Sequence, residues 1–294
     1  MKVGYVGIIG RPNVGKSTLI NNFLKFKLSI ISPKPQTTRH KILGVLTGEH
    51  YQVIFLDTPG FIDKTKYELH KIMTRRALET IDDADLIILI VEPYEPEEGD
   101  LILIDELKKR SKSTILAINK VDRVKKLELL PLIENYSKLY SFLEIIPISA
   151  LKLINTDVLL EKIIENLKEG EPFYPDDMLT DRPERFFVAE IIREKLFNFF
   201  GEEIPYATAV TIDEFREGDE EKGEKDYIRV VIYVEKDSQK AIVIGKGGKA
   251  LKKVGTAARK EIEAFLRRPV FLEIWVKTKP KWRKDLRLIK ELGY

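Results

Sequence analysis

"GRPNVGKST", residues 10–18, is the stretch that decides the fold of the first half of this chain. It fits the pattern G-x-x-x-x-G-K-[ST], directly follows the strand-like segment "VGYVGII" and runs into the helix-like segment "STLINNFLKF". This strand–loop–helix context suits a phosphate-binding loop, because glycines let backbone N–H groups close around phosphate oxygens and the helix N-terminus adds its dipole. The stretch therefore predicts a nucleotide-binding loop in which Lys16 reaches the β- and γ-phosphates and Ser17 ligates Mg²⁺.

The segment "NKVD", residues 119–122, indicates which base the loop would serve, since it follows the apolar strand "TILAI". The Asn119 amide can meet the N7/O6 edge of guanine, and the Asp122 carboxylate can accept two bonds from guanine N1–H and N2–H₂. Adenine has no donors there and would leave a carboxylate unpaired, at a cost of about 1–3 kcal/mol. "SAL", residues 149–151, can offer the Ala150 N–H to guanine O6. The pattern favours GTP and GDP over adenine nucleotides.

Two further motifs concern the γ-phosphate and the metal. In "DTPG", residues 57–60, Asp57 is expected to hold Mg²⁺ through water and the Gly60 N–H to meet the γ-phosphate. In "QTTR", residues 36–39, a threonine can close over the metal. We expect residues 32–48 and 57–66 to become ordered or disordered with the γ-phosphate and Mg²⁺.

The five motifs, taken in order, resemble those of the translation-factor-related GTPases. In that family's pattern Thr38 is the metal ligand, with Thr37 as the alternative. The candidate catalytic residues are Lys16, Thr38 and Gly60, and the candidate metal ligands are Ser17, Thr38 and Asp57. The predicted nucleotide-binding residues are Gly10, Arg11, Pro12, Asn13, Val14, Gly15, Lys16, Ser17, Thr18, Asp57, Thr58, Pro59, Gly60, Asn119, Lys120, Asp122, Ser149, Ala150 and Leu151.

Phe61 occupies the position at which Ras-type enzymes carry a glutamine that orients water. A phenyl ring cannot do this, so we expect slow intrinsic hydrolysis of GTP to GDP and phosphate. The resemblance offers Asn13 as compensation, because related GTPases with asparagine there use a bound K⁺ to neutralise transition-state charge. The alternative is an asparagine that only shapes the loop.

The arrangement of apolar segments divides the chain into two domains. Over the first ~170 residues, strand-like runs alternate with helix-length segments, which predicts an α/β, doubly wound, mostly parallel sheet. "KILGVLT" and "YQVIFLD" lie four residues apart and predict an antiparallel hairpin at one edge. We assign a GTPase domain to 1–170, a proline- and acid-rich linker to 171–184 and an α+β domain to 185–294.

"IVIGKGGKALKK", residues 242–253, is a second glycine loop, set among lysines. Its G-x-x-G core lies between two predicted helices, in the order helix–strand–strand–helix–loop–helix–strand that is typical of a type II KH domain. Glycines without Cβ let a nucleic acid backbone approach closely, and lysine between them supplies charge. We expect Ile242, Ile244, Ala250, Leu251 and Val254 to form one side of a groove for unstacked bases.

The surrounding charge suits an anionic partner, since residues 239–294 hold 16 Lys/Arg against 5 Asp/Glu; a solvated basic face is the alternative. Trp282 lies in the basic tail, where it would stack on RNA or anchor the tail to the domain. The candidate RNA-binding residues are Ile244, Gly245, Lys246, Gly247, Gly248, Lys249, Lys252, Lys253, Lys281 and Trp282.

With both loops in hand, the chain resembles the Era family, bacterial GTPases with a C-terminal KH domain. "TDRPERFFVAEIIREKLFNFFGEEIPYATAV", residues 180–210, carries this likeness outside the general GTPase motifs. The resemblance implies binding of single-stranded RNA near the 3′ end of 16S rRNA and assembly of the small (30S) ribosomal subunit from its precursor. It also implies peripheral contact with the inner membrane, and we expect a monomer.

Composition narrows the remaining choices. The sequence has no cysteine, which excludes disulfides, thiolate zinc sites and cysteine nucleophiles. No signal peptide or bilayer-length apolar run is visible, so we expect a cytoplasmic protein. The alternatives are a GTPase module of an RNA-modifying system, whose relatives end in a cysteine-containing motif, and an RNA-binding module whose nucleotide site is only structural.

Overall fold

A computed structural model describes residues 1–32, 34–63 and 65–294, leaving aside the side chain of Glu220. Pro33 and Lys64, which fall inside the two segments expected to respond to the γ-phosphate, lie outside the described residues. Contacts divide the chain into two compact units. The first comprises Met1–Lys66 and His70–Asp181, and the second comprises Tyr67–Leu69 and Arg182–Tyr294.

The first unit is built on a largely parallel sheet whose described strands lie in the order β2-β3-β1-β4-β5-β6, with β7 paired to β1. The central strand β4 is six consecutive buried apolar residues, as expected for a strand covered on both faces. The predicted edge hairpin is confirmed, since β2 pairs antiparallel with β3. The strands are β1 (Lys2–Ile9), β2 (Ile42–Gly48), β3 (Tyr51–Asp57), β4 (Leu86–Val91), β5 (Thr114–Ile118), β6 (Glu144–Pro147) and β7 (Lys168–Glu169).

Helices alternate with these strands, as the sequence predicts for a doubly wound fold. They are α1 (Lys16–Leu24), α2 (Glu68–Asp83), α3 (Glu98–Arg110), α4 (Lys126–Ser137) and α5 (Thr156–Glu165). The carboxyl ends of β1, β3 and β5 lead into the three motif loops, so the parallel sheet brings those loops to one edge. Residues 42–48, which the sequence places in the first responsive segment, form regular strand β2 instead.

Residues 171–181, which the sequence assigns to a linker, pack on the first unit. The Gln52 side chain accepts from the Phe173 N–H at 2.8 Å and donates to the Tyr174 carbonyl at 2.8 Å. The Val45 N–H donates to the Leu179 carbonyl at 2.9 Å, which adds a short extended contact beside β2. These hydrogen bonds attach residues 173–179 to the first unit, whose last residue is Asp181.

The second unit is a small α+β domain with a three-stranded sheet in the order β10-β9-β8. Its core joins α6, α9 and the inward face of the sheet, with Val188, Ile192, Val230, Val254 and Ile262 all fully buried. The "KAIVI" segment before the glycine loop is helical. The elements are α6 (Glu184–Phe199), α7 (Ile204–Ala207), β8 (Ala209–Arg216), β9 (Asp226–Val234), α8 (Asp237–Ile244), α9 (Lys249–Leu266), β10 (Val270–Thr278) and α10 (Leu286–Glu291).

Within the described part of the chain, none of the helices combines the length and the apolar character needed to cross a membrane.

Candidate functional site

The first glycine loop connects β1 to α1 and holds Lys16 at the start of the helix. Lys16 is only 5% exposed, and its ammonium donates to the carbonyls of Gly10 at 3.0 Å and Arg11 at 2.7 Å. Burial lowers the pKa of Lys16 to about 8, against the opposing attraction of Asp57. The loop is thus closed around a cation that can turn to phosphate oxygens.

The glycines of this loop are required by close packing. A Cβ at Gly15 would lie 2.2 Å from Asn119 Nδ2, and one at Gly10 would lie 2.4 Å from the Ile90 carbonyl oxygen. Gly15 also has φ +106°, which side chains with Cβ rarely adopt. The loop can therefore approach its neighbours, and a ligand, with backbone alone.

Arg11 enters the site through its backbone only. Its side chain turns to the start of α3, where Nε lies 3.0 Å from both carboxylate oxygens of Asp100 and Nη1 lies 2.7 Å from Glu97. The Arg11 guanidinium thus braces the loop against α3. The prediction that Arg11 binds the nucleotide therefore concerns its backbone.

The three predicted metal ligands meet at one corner of the site. Ser17 Oγ lies 2.9 Å from Thr38 Oγ1 and 3.2 Å from Asp57 Oδ2. A cavity beside them is lined by the loop residues Asn13 and Lys16, by Thr37 and by Gly60.

Asp57 is buried, and its Oδ1 has no hydrogen-bond partner among the described residues. Burial raises the pKa of Asp57, while hydrogen bonds from Ser29 and Ser17 and the charge of Lys16 oppose that shift. A buried carboxylate oxygen without a donor is costly unless it meets a cation or an ordered water. Two hydroxyls and a carboxylate form the all-oxygen set that Mg²⁺ prefers, so these residues fit the metal.

Two buried polar residues that carry no motif signal hold Asp57 in place. Ser29 donates its hydroxyl to Asp57 Oδ2 at 2.5 Å. Asn21 fixes Ser29 from both sides, because its Nδ2 donates to the Ser29 carbonyl at 2.9 Å and its Oδ1 accepts from the Ser29 N–H at 3.1 Å. Outer-shell partners of this kind orient ligands, and the sequence analysis missed both residues because their spacing follows no known pattern.

The segment following Asp57 closes the site towards the first loop. Thr58 is buried and donates to the Ile8 carbonyl at 2.8 Å, and the Phe61 N–H donates to the Gly10 carbonyl at 3.0 Å. A Cβ at Gly60 would lie 2.7 Å from the Pro12 backbone, so only glycine allows this approach. The Phe61 ring packs into the core with residues of α3, leaving no polar side chain at that position to orient water.

Asn119 joins the loops around the predicted base pocket. Its Nδ2 donates to the Val14 carbonyl at 2.7 Å, and its Oδ1 accepts from the Ala150 N–H at 2.9 Å. The Ala150 N–H, which we predict to donate to guanine O6, donates to Asn119 in this structure. The amide of Asn119 keeps one further N–H, since an NH₂ group donates twice.

Asp122 and its neighbours form the rest of this pocket. Ser149 donates to Asp122 Oδ1 at 2.5 Å, which fixes the carboxylate. Lys120 forms an ion pair with Glu92, and Leu151 is 69% exposed. Asp122 is thus the residue here whose acceptors suit the Watson–Crick edge of guanine.

The second glycine loop is open. Gly245, Gly247 and Gly248 have φ of +71°, +60° and +76°, and nothing lies within 4 Å of where a Cβ at Gly247 or Gly248 would stand. Lys246 and Lys249 are exposed on either side of these glycines. The loop therefore presents backbone and positive charge to solvent, as a clamp for a nucleic acid backbone requires.

The groove beside this loop runs between α9 and β10. A cavity of ≈ 520 Å³ is lined by Gly248, Leu251, Lys252, Arg259 and, from β10, Leu272 and Ile274, among others. The predicted groove wall is only partly correct, because Val254 is fully buried in the core and Ile242 is exposed outside the cavity lining. Lys253 lies with its ammonium 4.6 Å from the centre of the Phe199 ring.

The structure contradicts a stacking role for Trp282. Its side chain is 0% exposed, its Nε1 donates to the Ala207 carbonyl at 2.9 Å and its ring stacks on Tyr294 at 5.7 Å. A ring enclosed in this way cannot meet a base, so Trp282 anchors the tail, which was the alternative. Lys281 beside it is exposed.

Fold and sites together define a phosphate-loop GTPase class of protein with a KH domain. The family model described as a 50S ribosome-binding GTPase matches residues 5–120, and the KH domain model matches residues 203–283. The GTPase Era of Clostridium perfringens is 47% identical over 294 residues, covering 100% of this chain and 98% of that protein. The GTPase Era of Syntrophus aciditrophicus is 47% identical over 298 residues, covering 100% and 95%.

Solved structures give the same result. A variant of Aquifex aeolicus Era bound to GDP and AlF₄⁻ matches with a TM-score of 0.95 at 43% identity, covering 100% of this chain and 99% of that one. An Era in complex with MgGDPNP and nucleotides 1506–1542 of 16S ribosomal RNA matches with a TM-score of 0.96 at 43% identity, with the same coverage. The chain belongs to the Era family of GTPases.

Proposed function

We propose that this protein is a GTP-hydrolysing switch that binds single-stranded RNA near the 3′ end of 16S rRNA through its KH domain and acts in assembly of the 30S subunit from its precursor. The observation that carries the proposed nucleotide binding is the cluster of Ser17, Thr38 and Asp57, in which a buried Asp57 oxygen has no donor among the residues that the structure describes. The RNA half is supported by the open glycine loop, its groove and the RNA held by the matching Era structure.

The residues of the first site would act by positioning and electrostatics, as in other phosphate-loop enzymes. Lys16 would exchange its two carbonyl partners for β- and γ-phosphate oxygens, and the Gly60 N–H would donate to the γ-phosphate. Held by Ser17, Thr38 and, through water, Asp57, Mg²⁺ would neutralise negative charge on the phosphates. Because Phe61 cannot orient water, intrinsic turnover would be slow.

We propose that Asn13 compensates in part for the absence of a water-orienting side chain at Phe61, by helping to hold K⁺ beside the phosphates. It lies exposed in the loop with φ +66° and lines the cavity next to Lys16. GTP turnover measured in KCl and in NaCl tests this, with faster turnover expected in KCl. Equal rates in the two salts would leave Asn13 a loop-shaping residue.

The GTP-bound form is the one that we propose binds RNA. The matching Era structure holds MgGDPNP and RNA together, which supports this choice. Work on 30S precursors would place the protein in the cytoplasm. Peripheral contact with the inner membrane and a monomeric state stay predictions, testable by cell fractionation and by light scattering.

The preference for guanine over other bases gives the sharpest test of the proposed nucleotide binding. In Asp122→Asn the carboxylate becomes an amide, which cannot accept both guanine N–H groups, so GTP affinity should fall about 10- to 100-fold. Xanthine carries a carbonyl where guanine carries its amino group, so affinity for XTP should rise in the same variant. GTP affinity unchanged by the substitution would contradict the pocket as described.

A further inference from the structure

The outward face of the KH sheet carries two large aromatic side chains that the groove does not use. Alternate residues of a strand point to opposite faces, and Leu272, Ile274 and Val276 of β10 pack on the core. Phe271 and Trp275 therefore lie on the other face, where they are 57% and 52% exposed. Large aromatic side chains are mostly buried, so an exposed tryptophan in a strand indicates a surface that could contact a partner.

Trp275 is held in place by its own hydrogen bond. Its Nε1 donates to Glu273 Oε1 at 2.9 Å, and Glu273 Oε2 in turn accepts from Arg229 Nε at 3.1 Å and from the Tyr227 hydroxyl. The N–H edge of the indole is thus satisfied and its orientation fixed, while half of its surface stays open. Glu273 is ion-paired with Arg229 at 3.1 Å, and Arg229 also pairs with Glu214 at 3.2 Å, so the positive charge that an RNA phosphate would meet on this face has to come from Lys277.

Trp275 also adjoins the RNA groove. Within the described part of the second unit, β10 is an edge strand that pairs with β9 alone. Ile274, the preceding residue, lines the groove from the inward face. A strand of RNA that leaves the groove across the open edge of β10 would meet the outward face at Trp275.

The two ends of the outward face of the KH sheet differ in charge. Lys277 is exposed two positions beyond Trp275 and on the same face. At the other end, Phe271 stacks on Tyr227 at 5.8 Å. That end adjoins the β8–β9 hairpin, where residues 213–226 hold 8 Asp/Glu against 3 Lys/Arg. The basic end suits a phosphate backbone and the acidic end repels it.

We propose that Trp275 and Lys277 form an additional subsite in which Trp275 stacks on a base of the single-stranded RNA that leaves the KH groove across the edge of β10. The proposal rests on the RNA-binding function proposed above. Stacking of a base on an aromatic side chain is tolerant of sequence and strong, so this subsite would add affinity to the groove without reading the base.

The test uses the full chain with two labelled RNAs: a long one copying the 3′ end of its 16S rRNA, and pieces of about four nucleotides that fill the groove only. Trp275→Ala should weaken binding of the long RNA about 5- to 100-fold and leave the short pieces unaffected. Trp275→Phe should recover part of the loss. Phe271→Ala removes an equally exposed ring from the acidic end and should change neither affinity.

Tryptophan fluorescence provides a second readout. The sequence has two tryptophans, and Trp282 is fully buried, so quenching by bound RNA reports on Trp275. The long RNA should quench the wild type, the short pieces should not, and Trp275→Phe should abolish the signal.

Each contrary outcome has a separate meaning. If Gly248→Asp abolishes binding of both RNAs while Trp275→Ala changes neither, the groove stands and the subsite is wrong; the face would then be left for a protein contact. Equal losses in Trp275→Ala and Phe271→Ala would also overturn the subsite, since the acidic end would contribute as much. If the wild type binds neither RNA, the proposed RNA-binding function itself fails.

Discussion

The two glycine loops of this chain use the same residue for opposite reasons. In the first loop the glycines are enclosed, and a Cβ at Gly15 would lie 2.2 Å from an Asn119 side-chain atom. In the second loop Gly247 and Gly248 face open space and are glycine because of their positive φ. Neighbouring residues of the protein pack closely against the first loop. The second loop is open to solvent, where the backbone of an RNA strand could approach it.

The lysines repeat the contrast. Lys16 is buried and bonded to two carbonyls, while Lys246 is exposed to solvent. A buried charge is worth more to its ligand, because little water competes with the contact and nothing else can replace it. An exposed lysine acts through a screened field and shares its task with neighbours. Substitutions in the first loop should therefore have the larger effects.

The largest effect should come from Lys16→Ala. Removing the ammonium that we propose binds the β- and γ-phosphates should weaken GTP and GDP binding about 100-fold or more. Titration with a fluorescent guanine nucleotide measures this. RNA affinity measured without nucleotide is the control for folding and should be unchanged. A GTP affinity within threefold of the wild type would contradict the view that the buried Lys16 dominates binding in the first loop.

Ser29→Ala should weaken nucleotide binding by weakening the binding of Mg²⁺. Loss of the hydroxyl that fixes Asp57 should weaken Mg²⁺ binding about 10- to 100-fold, the usual cost of removing an outer-shell partner. The measurement is GDP affinity as a function of Mg²⁺ concentration, with the same titration in EDTA as the internal control. A shift of equal size in EDTA would mean that Ser29 supports the loop generally and not the metal ligand.

Gly248→Asp should disrupt the second loop and leave the first intact. The new side chain would have to adopt φ +76° and would set a negative charge where RNA phosphate approaches, so RNA affinity should fall about tenfold or more. Nucleotide affinity should not change. Gly247→Ala, at a similar φ but without charge, is the matched control and should cost less; an equal cost would assign the effect to backbone conformation alone.

The smallest effect should come from Lys246→Ala. One screened phosphate contact should be worth a few-fold in RNA affinity, and the slope of log affinity against log salt should fall by about one. Titrations at several salt concentrations give both numbers. A loss comparable with that of Lys16→Ala on nucleotide would erase the distinction between an enclosed and an open loop.

Motif spacing in the sequence predicted most of the first site, because backbone loops at the ends of parallel strands must converge. Ser17, Thr38 and Asp57 come together in this way. Side chains that hold those loops from behind, such as Ser29 and the guanidinium of Arg11, carry no such signal and emerge only from the packing.

The second site was predicted less completely. The sequence predicts the G-x-x-G loop, but it also places Trp282 of the basic tail among the RNA-binding residues, and this side chain is buried. The alternation in "VFLEIWVKT" would have indicated Trp275, since a strand that buries Leu272, Ile274 and Val276 must turn Trp275 outward. A cluster of charge near an aromatic residue is a weaker guide than strand periodicity.

The most direct test of the switch is the affinity of the full chain for the long RNA at one fixed salt, with a non-hydrolysable GTP analogue, with GDP and without nucleotide. The account predicts binding several-fold tighter with the GTP analogue than in the other two states. Equal affinity in all three would contradict it, leaving two loops that bind two kinds of phosphate independently.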